Sequence, residues 1–323
     1  MVSANNPTGA FVRFVRDRTQ TVWPEFLLIR KFLPRVREES IITASRRETD
    51  VVRLVALHRF LTRPQLEDFL FAESTLTPRS RQVVTWRILG RLQRHGLVAA
   101  TPRQSGGAVA GSTLPGYFLT TTGLRVAATF YPDLPARRPA RRAPFLLAHS
   151  VMAADVELAF RRAARGNSGH ELELWECDWQ TRLKLGSKKL LPDARLVYRL
   201  GRVLLDAFVE VDLGTEGTRF FAGKIDRYIS ARYDGGWRTH LSRWPMTLTI
   251  TPTAARAASL WEATTARLNA HPWSSGGMAF KFCSIDALLG EPGVLGARWR
   301  VAGTKESTLF ATPEQLAAAS GAE

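Results

Sequence analysis

Cysteine is nearly absent from this chain: Cys177 and Cys283 are the only two, and they show no metal-ligand or redox spacing. That excludes a disulfide scaffold and makes a reducing cytoplasm the expected compartment. Apolar runs of membrane-span length are also missing, and residues 1–20 lack the apolar stretch of a secretory leader. No membrane partner is expected. Histidine is sparse and scattered, at His58, His95, His149, His170, His240 and His271, so no histidine cluster offers itself as a metal site. No internal repeat is visible. The last shortage is local: between Glu73 and Asp133 there is no carboxylate, while Arg79, Arg81, Arg87, Arg91, Arg94, Arg103 and Arg125 all fall there.

What is present follows the same asymmetry. Residues 1–142 hold 23 Lys and Arg against 10 Asp and Glu, and residues 143–323 hold 22 against 19, giving the net charge of +16. The first half therefore carries the field that attracts a polyanion, and double-stranded DNA is the expected partner, since each phosphate contact releases condensed counterions. A general arginine bias would not spare one half of the chain.

The pattern divides the chain into a basic arm (1–47), a helical region (48–130), a stiff Pro/Arg linker (131–147), a second domain (148–310) and a tail (311–323). Thr49 or Asp50 can cap a first helix burying Val52, Val55, Ala56 and Phe60. Thr62, with Pro64 in the first turn, caps a second. A third spans about Pro78 to His95 and stops at Gly96. Its core stripe is Val84, Ile88 and Leu92, and Arg87, Arg91 and Arg94 form a ridge opposite. A strand at Leu97 to Thr101, a Gly/Ser-rich loop at 103–115 and a returning strand at Gly116 to Leu119 complete a winged helix-turn-helix. Arg79, Arg81, Arg87, Arg91, Arg94 and Arg103 are the candidate DNA contacts. A small helical docking domain with a solvated arginine face is the alternative.

The order after the linker is a helix at about Ala148 to Arg165, strands at Leu172 to Trp175, Leu191 to Leu200 and Val203 to Leu213, a helix at Thr218 to Tyr233, a strand at Met246 to Thr251, a helix at Thr253 to Asn269 and a strand at Met278 to Cys283. That predicts an α/β fold with a mixed sheet flanked by helices. Val203 to Leu213 reads as a half-buried strand: its odd positions are apolar, and its even positions carry Asp206, Phe208, Glu210 and Asp212. Carboxylates two apart on a strand lie about 7 Å apart on one face, so Glu210 and Asp212 can share a pocket. Gly201-Arg202 is short enough to close a hairpin that carries Asp193 alongside, with register deciding whether it lands beside Glu210. A solvated strand face is the competing interpretation of the two acids.

Pro192-Asp193, Glu210 and Lys224 resemble the PD-(D/E)xK nuclease superfamily, with the lysine moved from its usual place, here Asp212, to the following helix. A wider likeness covers residues 48–250: a winged helix, His149 with Asp155 six residues on, Leu191-Pro192-Asp193, Glu210-Val211-Asp212-Leu213-Gly214-Thr215-Glu216 and Lys224-Ile225-Asp226-Arg227-Tyr228. This is similar to the replication-relaxation family of plasmids and integrative elements. The resemblance implies DNA nicking or cleavage in replication or conjugative transfer. In such a site Asp193, Glu210 and Asp212 are candidate ligands of Mg²⁺ or Mn²⁺, and Lys224 neutralises developing charge. His149 is a water-orienting or helix-start histidine, and Asp155 a partner of His149 or Arg162. A relaxase that forms a covalent DNA link would need a tyrosine; Tyr228, one turn after Lys224, lies nearest but also falls on the apolar stripe. The rival class is a non-catalytic DNA-binding initiator or regulator that uses the nuclease fold as a dimerisation scaffold, with a second copy of the chain as partner. Single-strand or RNA binding is disfavoured by the scatter of nine tryptophans.

Overall fold

Three threonines frame the N-terminal region of the chain, each ending an extended stretch and starting a helix. Thr62 and Gln65 form a reciprocal box, in which the Gln65 N–H donates to the Thr62 hydroxyl and the Thr62 N–H donates to Gln65 Oε1 at 3.0 Å. Thr77 accepts from Ser80 N at 3.2 Å and Thr120 from Gly123 N at 3.0 Å. The structure, a computed structural model, describes residues 45–102, 114–134, 144–181, 183–185, 188–271, 278–312 and 314–315. The basic arm up to residue 44, the loop centre with Arg103, and residues 135–143 of the 131–147 linker lie outside the described residues, while the linker's last four residues open a helix at Pro144 and the arm's last two begin one at Arg46.

The first elements are α1 (Arg46–His58), β1 (Leu61–Thr62), α2 (Arg63–Leu70), α3 (Pro78–Arg94), β2 (Val98–Ala100), β3 (Gly116–Leu119) and α4 (Thr121–Phe130). β3 lies between β1 and β2, antiparallel to both. Val51, Val55, Leu66, Leu89, Leu92 and Leu119 fill the core beneath them. At Gly123 a Cβ would fall 2.0 Å from the Leu97 carbonyl oxygen, so α4 can approach the sheet this closely only on glycine.

The chain continues through α5 (Pro144–Gly166), β4 (His170–Cys177), β5 (Leu183–Leu185), β6 (Lys188–Leu190), β7 (Ala194–Leu200), β8 (Val203–Val211), α6 (Thr218–Asp234), a 3-10 turn (Gly236–Thr239) and β9 (Met246–Thr251). Then come α7 (Ala254–Ala270), β10 (Phe280–Ser284), α8 (Ile285–Leu289), α9 (Gly293–Gly296), β11 (Trp299–Val301) and β12 (Ser307–Thr308). Seven strands form one sheet in the order β12-β11-β10-β9-β8-β7-β4, while β5 and β6 pair separately. β8, β9 and β10 run parallel and the remaining pairs antiparallel. The fold is the mixed α/β arrangement expected. α5 covers one face through Met152, Val156 and Phe160. On the other face α6 and α7 pack Phe221, Ile225, Tyr228 and Leu260 against Phe208 and Phe280. α5 also belongs to the N-terminal core through Ala154, and Gln65 Nε2 donates to Val151 O at 2.8 Å and to Asp155 Oδ1 at 2.7 Å. No helix among the described residues is long and apolar enough to cross a membrane.

The structure departs from expectation at several elements. α1 begins at Arg46, and Thr49 does not cap it: its hydroxyl donates back to the Arg46 carbonyl at 2.7 Å. β8 is not half-buried, because helices cover both sheet faces and bury Leu205 through Val211 alike. The solvated-face alternative for Glu210 and Asp212 falls with it, since they are 1% and 8% exposed. α4, the β5–β6 hairpin and the β11–β12 edge were not anticipated. The strands have only two or three residues each, which leaves little periodicity to read, whereas α4 has ten residues and follows the Thr120 cap.

Candidate functional site

The register that sequence leaves open is fixed by the hairpin. Gly201, at φ 54, and Arg202 form the two-residue turn, Leu200 pairs with Val203, and the ladder runs to Ala194 opposite Val209. One step further places Asp193 opposite Glu210. Asp193 N donates to Val209 O at 3.0 Å, and Val211 N donates to Asp193 Oδ2 at 2.8 Å, so the carboxylate is pinned to the backbone of β8. Phe221, Ile225, Tyr228 and Ile229 turn one face of α6 into the core. That anchors Lys224 over the strand ends. Its ammonium pairs with Glu210 Oε2 and lies 3.8 Å from Asp193 Oδ2. The Tyr228 hydroxyl, one turn on, donates to Glu210 Oε1. From α5, His149 Nε2 reaches Asp193 Oδ2 at 3.2 Å.

Five side chains from four segments thus share one buried cluster, and its electrostatics are uneven. Burial pushes the Glu210 carboxyl up to about 8, and neighbouring Asp193 adds to that, against the pull of Lys224 and Tyr228. Asp193 is also penalised by burial, but Lys224, His149 and the Val211 N–H hold it far below the ordinary carboxylate range. Burial lowers the Lys224 ammonium, while Glu210 and Asp193 more than reverse this and raise it. His149 is raised: burial pulls it down and Asp193 outweighs that. The cluster therefore holds two carboxylates beside the Lys224 ammonium, and both Glu210, raised to about 8, and His149, raised above its ordinary value, can change charge near neutral pH.

The remaining candidates lie elsewhere. Asp212 is bonded to Arg256 rather than to the Glu210 cluster. Its carboxylate accepts Arg256 Nε at 2.8 Å, a second guanidinium nitrogen at 2.9 Å, and Gly214 N at 2.8 Å. Asp155 is bonded to Gln65 rather than His149, and it joins α5 to α2. On α3, Arg79, Arg87 and Arg94 are exposed. Arg91 is tied to Glu48 of α1 at 3.2 Å, and Arg81 donates to the Leu76 and Ser74 carbonyls at 2.9 and 2.8 Å. The ridge is thus two exposed arginines with a structural one between them.

Two residues escaped the sequence reading. Trp86 is 57% exposed on α3 beside Arg87, with the Arg63 guanidinium 5.8 Å from its ring centre. An aromatic outside the i, i+4 core stripe was the available signal. Arg59 is the only non-glycine residue with positive φ among the described residues, at 69°. That backbone costs a side-chain-bearing residue about 1–2 kcal/mol. Its partly exposed ion pair with Asp178 contributes no more than about 1 kcal/mol. The pair does not outweigh the strain, and nothing local in the sequence marks the position.

Asp193 and Glu210 are hard oxygen donors of the kind Mg²⁺ and Mn²⁺ take, and the Lys224 ammonium lies where a cation would meet both. The donor chemistry therefore fits a divalent ion. Among the described residues no group of three or more His, Cys, Asp or Glu is placed to hold a metal. Mg²⁺ commonly takes one or two carboxylates and completes its shell with water and substrate phosphate.

No curated protein and no solved structure matches the chain. The sequence profile of one family, replication-relaxation, matches residues 52–240, more than half of the chain, from the middle of α1 through the 3-10 turn. That span contains His149, Asp193, Glu210, Lys224 and Tyr228, and the chain belongs to the replication-relaxation family.

Proposed function

We propose that the protein is a cytoplasmic, metal-dependent DNA endonuclease that nicks or cleaves duplex DNA in the replication or transfer of a plasmid or integrative element. The observation that carries this is the Lys224 ammonium poised between the carboxylates of Asp193 and Glu210. The order α5, the antiparallel β4-β7-β8, α6 and then β9 parallel to β8 is that of a PD-(D/E)xK nuclease core, with the lysine supplied from α6. The order α1, β1, α2, α3, β2, β3 supports a winged-helix reading of this region, in which α3 would meet the major groove.

When bound to Asp193 and Glu210, Mg²⁺ or Mn²⁺ would polarise a phosphate oxygen and lower the pKa of an attacking water. Asp193 keeps its charge through its bonds to Val211 N and His149. Glu210, neutral or ionised depending on its neighbours, is the proton-exchanging member of the site. Lys224 stabilises negative charge developing on the phosphate, and Tyr228 fixes the Glu210 carboxyl from the core side.

A second reading is favoured by one fact: both Glu210 oxygens are already bonded, to Lys224 and to Tyr228. A closed network of that kind also serves a non-catalytic DNA-binding initiator or regulator. Supercoiled plasmid carrying the element's own origin, incubated with Mg²⁺ or Mn²⁺, separates the two. Nicking by wild type that is lost in Asp193→Asn with DNA affinity retained is expected. Wild type that binds this DNA and leaves it supercoiled under both metals would leave the scaffold reading as the better one.

A further inference from the structure

Arg59 follows the last residue of α1, at a C′ position that glycine ordinarily takes because its backbone is left-handed. A guanidinium retained on such a backbone points to use of the side chain. With Asp178, His149, Ser150 and Asp193 it lines a cavity of about 40 Å³, room for about three ordered waters. The non-bridging oxygens of one phosphate can replace waters there. The Arg59 side chain is 32% exposed, so it can exchange Asp178 for an incoming anion without unpacking. A planar fork of donors suits phosphate better than a lysine does. The opposite end of α1 holds α3, through Glu48 and Arg91. One helix therefore joins the exposed basic face to the carboxylate site.

We propose that Arg59 is a phosphate-binding residue of the Asp193 site, paired with Asp178 in the DNA-free protein and transferred to the phosphodiester when DNA enters. This rests on the nuclease reading, but it makes a claim about phosphate that can be tested without cleavage.

The variant Arg59→Gly accepts the left-handed backbone and removes the whole side chain, guanidinium included. Asp178→Asn releases it. With the full-length, metal-free protein, inorganic phosphate is titrated while the His149 imidazole resonances are followed. Wild type should shift saturably, Arg59→Gly should bind at least tenfold more weakly, and Asp178→Asn more tightly. In plasmid nicking, Arg59→Gly should lose about 10- to 100-fold in rate with DNA affinity within about threefold of wild type. Arg59→Lys should recover only part of the rate. Wild-type phosphate affinity in Arg59→Gly, or no saturable phosphate shift in wild type, overturns the proposal. Nicking by wild type and Arg59→Gly at equal rates overturns it while leaving the nuclease reading intact. Phosphate binding that depends on Arg59 in a protein that never nicks upholds the phosphate site and retires the nuclease.

Discussion

Two acid–base pairs lie two residues apart at the end of β8, and they are built differently. Asp212 meets Arg256 through two parallel N–H bonds, and the same guanidinium also donates to Glu216 O at 2.7 Å. Arginine does not give up its proton, and this fork leaves little room for another ligand. Glu210 meets an ammonium that it shares with Asp193, and burial moves its own titration to about 8. A lysine is a rotatable point charge and leaves part of the acid's surface for something else. Reactive sites need a group whose charge can change near neutral pH. The Glu210 cluster supplies such a group in Glu210.

The largest expected difference between the two pairs is in rate. Asp193→Asn and Glu210→Gln should each slow single-turnover nicking by about 10²–10⁴-fold, whereas Asp212→Asn should change it less than about tenfold. Equal losses in all three would erase the distinction.

Stability should reverse the ranking. Asp212→Ala leaves the Arg256 guanidinium without its carboxylate and should cost about 2–4 kcal/mol in denaturant unfolding. Glu210→Gln should be close to neutral below pH 6. Stability should also respond to pH through Glu210. Its folded pKa lies above the ordinary 4.5, so the folded state holds the proton more tightly and stability falls as pH rises from about 5 to 8. The slope reaches about 1.4 kcal/mol per pH unit at most. His149, also raised, acts in the same direction from its ordinary value upward, while the depressed Asp193 contributes a constant amount across the window. Urea midpoints measured between pH 5 and 8 should therefore decline in wild type and decline less steeply in Glu210→Gln, where the His149 contribution remains. An unchanged slope in the variant would mean that Glu210 is ionised throughout.

Sequence reading reached the hairpin, the α6 face and the Asp193, Glu210 and Lys224 set, because those depend on alternation, a two-residue turn and helical spacing. It placed Asp212 in the same pocket for the same reason. What parts Asp212 from Glu210 is Arg256, 44 residues away on α7, and no local pattern encodes that meeting. The His149 to Asp193 pair is equally non-local. The arginine ridge was legible as a stripe, yet which member is spoken for depends on Glu48 across the α1–α3 contact.

The smallest effect belongs to that ridge. Replacing Arg79, Arg87 and Arg94 by Ala should lower the slope of log affinity against log salt by about 0.9 for each lost phosphate contact. Arg91→Ala should chiefly cost stability, on the order of 1 kcal/mol. A slope reduced by Arg91→Ala as much as by Arg87→Ala would place Arg91 on DNA instead.

The central claim, that Asp193 and Glu210 form a cation site and Asp212 does not, is tested most directly by Mn²⁺ titration in two buffers of different ionisation enthalpy at pH 7. The account predicts saturable binding by wild type with release of up to one proton from Glu210, loss of binding in Glu210→Gln, and near-normal binding in Asp212→Asn. Binding that survives Glu210→Gln and disappears in Asp212→Asn would contradict it.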